Sequence, residues 1–117
     1  MTLPLENRTK LFALNVIKFI SGLRTNRIYD VISRQLLKSG TSIGANYCEA
    51  SRAESRNDFI HKIGICAKES AETRYWLDLF LETGLAESDK CERLRQEASE
   101  LLAIFVASGR TAKSRKR

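Results

Sequence analysis

Apolar residues recur at alternating steps of three and four in four successive stretches of this chain, and no stretch alternates with a period of two. That spacing keeps side chains on one face of a helix, so it predicts four helices and no sheet. The first stretch runs from Leu5 to Leu23, with Phe12, Val16, Phe19 and Leu23 as its stripe and Ala13, Ile17 and Ile20 alongside. Leu11 and Leu14 widen the stripe until only Asn15 and Lys18 read as wet in its middle. One bundle core cannot cover a helix that is apolar nearly all round, so this helix is expected to bury a second face between subunits.

The second stretch starts at Asn26, a suitable N-cap, and carries Ile28, Ile32, Gln35, Ser39, Ile43, Asn46 and Ala50 in phase. Ser39-Gly40-Thr41-Ser42 and Gly44 interrupt it with small residues. Two interior glycines cost about 2 kcal/mol relative to alanine, so propensity favours a break. The unbroken spacing and the absence of proline favour one helix ending at Ala50 to Ala53. In it Gly40 and Gly44 share a face and let a neighbouring backbone approach closely. Asn46 lies on the core stripe, where it is expected to act as a buried polar lock that fixes register.

Ser55 caps the third helix, with Asp58 three residues on. Its stripe is Phe59, Ile63, Cys66, Ser70, Thr73, Leu77 and Phe80, and Gly84 supplies the stop. Ser88 is expected to cap the fourth, with Asp89 and Glu92 at the positive end of its dipole. Cys91, Leu94, Ala98, Leu101 and Phe105 form the seam, and Gly109 is expected to end it. Short links make neighbours antiparallel. The expectation is an all-α, up-down-up-down four-helix bundle over residues 1–109, with residues 110–117 a disordered basic tail.

Charge changes this picture more than composition does. The chain carries a formal +6, yet Arg110, Lys113, Arg115, Lys116 and Arg117 contribute five of those charges and residues 1–109 balance to +1. An unopposed basic run suits phosphate, and Arg27, Arg34 and Lys38 on one face of the second helix, with Arg52 and Arg56 after it, are expected to form a basic edge. Solvated surface charge is the plainer reading of that edge.

Catalytic chemistry finds little support. Asp58 and His61 have the carboxylate–histidine spacing of di-iron bundles, but the chain has one histidine and cannot supply the set. A triad would depend on the same His61, and Gly40-x-x-x-Gly44 lacks the lysine of a phosphate loop. Cys48, Cys66 and Cys91 lack zinc-ligand spacing, and Cys66 and Cys91 fall at core positions, as reduced thiols in a cytoplasmic protein would. No cofactor is expected. No apolar run is long enough for a membrane span, and no secretory leader is visible.

The segments SGTSIGANYCEASRAESRNDFIHKI and CAKESAETRYWL resemble the bacterial four-helix-bundle family named for proteins encoded in intervening sequences of the 23S rRNA gene. That family is related to the accessory variability protein of diversity-generating retroelements. The matching positions are Ser42, Ile43, Gly44, Ala45, Asn46, Glu49 and Ala50, then Phe59, Lys62, Lys68, Glu69, Glu72, Thr73 and Trp76. The resemblance implies a ring-shaped homopentamer without catalytic residues. In the retroelement branch it implies binding of nucleic acid and of a reverse transcriptase through a basic ring. The near-neutral body of this chain departs from that ring and shifts the weight to the tail. The expected function is a non-enzymatic oligomer that binds RNA or DNA through its basic edge and tail. The alternatives are a protein-interaction scaffold, such as a subunit holding a polymerase on its template, and a metal-dependent oxidase.

Overall fold

A computed structural model describes residues 3–115. It contains four helices, α1 (Leu5–Ser21), α2 (Arg27–Ala50), α3 (Arg56–Thr83) and α4 (Ser88–Ser114), and no strand among the described residues. Each helix packs on its chain neighbours and α1 closes against α4, giving the up-down-up-down bundle. The seam between α1 and α4 is the thinnest of the four.

Local chemistry accounts for most ends. The Asn26 side chain accepts from the Tyr29 N–H at 2.9 Å, and the Ser55 hydroxyl accepts from the Asp58 N–H at 3.0 Å. Gly84 takes a left-handed φ of 67°, which a side chain would resist, and terminates α3. The start of α4 differs from expectation. Ser88 is its first helical residue rather than its cap, because the Glu87 carbonyl already accepts from the Cys91 N–H at 3.3 Å.

The end of α4 differs more. The helix passes through Gly109 to Ser114, so Arg110 and Lys113 are helical and Arg115 is the C-cap. Gly109 keeps a negative φ and faces α3, where a Cβ would lie 3.9 Å from Ile63 Cγ2. No proline forces a stop, and Arg110, Lys113 and Arg115 complement the negative end of the dipole. Lys116 and Arg117 lie outside the described residues.

Gly40 and Gly44 sit inside a continuous α2, as the phase of the apolar pattern requires. A Cβ on Gly40 would meet Val16 Cγ2 at 3.1 Å, and one on Gly44 would meet Thr9 Oγ1 at 3.3 Å. The glycines therefore set how closely α1 approaches α2. The stripes of α3 and α4 are buried as read, except that Phe59 is half-buried. On α2, Leu36 is fully buried whereas Ile28 is 59% exposed; in the same first turn it is Tyr29 that packs on α3, its ring 6.4 Å from that of Phe80. Asn46 is half-buried and donates to the Ser42 carbonyl of its own helix at 2.8 Å, so it locks nothing across the bundle. The cross-helix polar lock is Thr73 Oγ1 with Ser39 Oγ, 2.9 Å apart and buried.

Candidate nucleic-acid interface

Antiparallel order brings the end of α2, the start of α3 and the end of α4 to one pole of the bundle. Tyr47 on α2 lies against Phe105 on α4 with ring centroids 5.9 Å apart, and Gly109 lies over Ile63 on α3. The 17 residues of α1 span about 26 Å and the 27 of α4 about 40 Å, at 1.5 Å per residue. Arg8, near the start of α1, already faces Glu97 and Glu100, so the last turns of α4 run beyond α1. The pole is consequently a three-helix end.

Five of the cations expected to bind phosphate gather there: Arg52, Arg56, Arg110, Lys113 and Arg115, all exposed. None forms an ion pair among the described residues; Arg52 Nη1 donates to the Cys48 carbonyl at 3.1 Å. After Glu100 the chain contains no acid, so the α4 side of the pole is uniformly positive. The α2–α3 side is mixed, with Glu54 and Asp58 beside Arg52 and with Glu49 bound to Lys62. Hydrogen bonding to Glu49 raises the Lys62 pKa and keeps that lysine occupied within the bundle. Between α3 and α4 a surface groove of about 470 Å³ is lined by Phe59, Ile104, Thr111 and Arg115, placing an apolar wall beside the cations.

The remaining predicted cations do not join them. Arg34 and Lys38 are exposed midway along α2, and Lys38 lies close enough to the burial-raised Glu69 to draw its pKa back down. Arg27 is the first residue of α2, at the far end of a 24-residue helix that rises about 36 Å. The expected continuous basic edge is thus one pole plus isolated charges.

The motif residues mostly hold the fold. Glu49 pairs with Lys62, Thr73 bonds Ser39, and Trp76 Nε1 donates to Glu72 Oε2 at 3.2 Å while its ring packs on the core. Cys66 and Cys91 are buried and point at the Ile43 and Leu77 carbonyls; burial raises their pKa values to about 12 and about 11. Neither is a nucleophile at neutral pH. His61 is exposed, and no metal-ligating cluster occurs among the described residues. No helix among the described residues is long and apolar enough to cross a membrane.

Sequence reasoning missed the ion pairs that remove other basic residues from play. Arg8 binds Glu97 and Glu100, and Arg95 binds Asp78. These partners lie on different helices, so no spacing rule reveals them.

Residues 2–107 match the family described as 23S rRNA-intervening sequence protein. Among solved structures, the chain is similar to a protein of unknown function from the S23 ribosomal protein family of Bacteroides thetaiotaomicron. The identity is 35%, covering 87% of this chain and 94% of that one, with a TM-score of 0.78. Among curated proteins nothing matches. On the matched length and the shared bundle, the chain belongs to the 23S rRNA-intervening sequence protein family.

Proposed function

We propose that this protein is a non-enzymatic, oligomeric nucleic-acid-binding protein that presents its three-helix pole to RNA. One observation carries the reading: Arg56 on α3 and Arg110 and Lys113 on α4 meet Arg52 of the α2–α3 turn and Arg115 at the α4 C-cap at one pole, and none of the five forms an ion pair among the described residues. Cations on rigid helix ends lose little freedom on meeting phosphate, unlike those on a loose tail. The resemblance to a ring of five adds avidity, since each weak pole then acts in a linked array. The family name, with its reference to 23S rRNA, supports RNA over DNA.

The test is fluorescence anisotropy with single-stranded and hairpin RNA across a salt series. The triple variant Arg110→Gln, Lys113→Gln, Arg115→Gln is expected to weaken binding and flatten the log–log salt slope on single strands. The flattening is about 2 units per site, at ~0.7 for each cation withdrawn from phosphate. A slope equal to the parent's removes the α4 end from the mechanism.

A second reading, a scaffold that holds a polymerase such as a reverse transcriptase, is favoured by the apolar side chains left on the surface of α1 and α2. A partner that stays bound at high salt and after nuclease treatment would select it.

A further inference from the structure

The thin seam between α1 and α4 leaves a groove of about 340 Å³ whose features do not serve the pole. Its floor is Phe12, Phe19 and Leu94, and its rim is Asn15, Lys18, Lys90, Arg93 and Glu97. The volume is at the lower end of ordinary small-ligand sites, and an apolar floor with few polar groups is their usual make-up.

The charge on the rim is not explained by folding. Lys90 and Arg93 lie in the first two turns of α4, at the positive end of its dipole, where cations are disfavoured. Lys18 joins them across the seam from the last turn of α1. Three like charges around one groove repel one another; Asp89 and Glu92 lie in the same turns of α4 but do not line the groove. Lys90 has an exposed, long contact to Glu87 at 3.9 Å, and Lys18 and Arg93 have no ion pair among the described residues. The acid in the groove is already satisfied, since Arg8 Nε and Nη2 reach the two oxygens of Glu97 at 2.6 and 2.8 Å. The N-terminus of α4 also has no side-chain cap, so its free N–H groups add to the positive field. A groove with low-dielectric walls focuses such a field.

We infer that the α1–α4 groove binds a small organic acid, its aryl or alkyl body against Phe12, Phe19 and Leu94 and its anionic head between Lys18, Lys90 and Arg93. The inference is independent of nucleic-acid binding at the pole, which lies at the other end of α4.

The test uses the full chain and the aryl sulfonate 8-anilinonaphthalene-1-sulfonate, followed by its fluorescence. The expected result is one saturable site per chain, displaced by decanoate but not by decanol. Lys18→Glu with Arg93→Glu is expected to weaken it at least fivefold while circular dichroism stays that of the parent. Arg110→Glu at the pole should leave it unchanged. A weakening smaller than fivefold in the double variant, or equal displacement by decanol, overturns the proposal. So does a site that appears only when Leu14→Glu disperses the assembly, since another copy would then occupy the groove. If the double variant misfolds, Arg93→Gln alone replaces it and must weaken the dye at least twofold for the proposal to stand.

Discussion

Two glycines of the same helical class carry opposite meanings here. Gly40 is buried against the branched side chain of Val16, whereas an added Cβ on Gly64, exposed on α3, would meet nothing within 4 Å. Alanine gains about 1 kcal/mol of helix propensity at either site. Gly64→Ala is therefore expected to stabilise the protein by about that amount in a urea titration. At Gly40 the same gain is offset by forcing Val16, held at 3.1 to 3.2 Å and fully buried, out of its place. Overpacking of that kind costs about 1–3 kcal/mol, so Gly40→Ala is expected to be net destabilising by about 1 kcal/mol. Sequence made the close approach legible through the shared face of Gly40 and Gly44. It did not reveal which residues approach, and it assigned the polar lock to Asn46 rather than to Ser39 and Thr73, because both candidates sit on the stripe and only the partner helix distinguishes them.

Among elements, one polar clamp joins α1 to α4 beside the apolar contact of Phe12, Phe19 and Leu94. Arg8 chelates Glu97 and also reaches Glu100 at 2.6 Å. Glu100 is held below its usual carboxyl range, first by the Gln96 amide and then by Arg8. A depressed folded value means its contribution is fully present above the unfolded pKa, about 4.3, and is lost as pH falls through the folded one. Glu69 works the other way. Burial raises its folded value, so protonation as pH falls through that value favours the native state. Urea midpoints measured between pH 7 and pH 3 should accordingly fall less steeply on the acid side in Glu100→Gln than in the parent. Glu69→Gln should raise the midpoint near neutral pH. The extent of α4 shows what propensity alone misjudged: Gly109 looks like a stop, yet packing on Ile63 and basic residues at the C-terminal end carry the helix on.

For the whole molecule the open question is assembly. Leu11, Leu14 and Ile17 of α1 are 48, 45 and 43% exposed, and Ile28 and Val31 of α2 are 59 and 54% exposed. The sequence showed α1 to be too apolar for one core, and the structure divides it into a buried face of Phe12, Val16 and Phe19 and this outer face. Such a surface is expected to be covered by another copy. Leu14→Glu with Ile17→Glu should bring the light-scattering mass down to that of one 13.3 kDa chain, with helicity unchanged. The same variant should then weaken RNA binding through reduced avidity, leaving the salt slope per chain as it was.

Periodicity determined the four helices and nearly every core position of α3 and α4, because burial against one neighbouring layer imposes its own spacing on the chain, and the short links determined the antiparallel order. Composition likewise marked the basic C-terminal segment. What only the tertiary structure decided was which charges remain available. Arg8, Lys62 and Arg95 meet acids on other helices, Arg27 is carried to the far end, and five cations from α3, α4 and the α2–α3 turn meet at one pole. The groove between α1 and α4 is of the same kind, since Lys18 and Arg93 are 75 positions apart and become neighbours only when the bundle closes. Charge acts through space, and distance along the chain does not measure it.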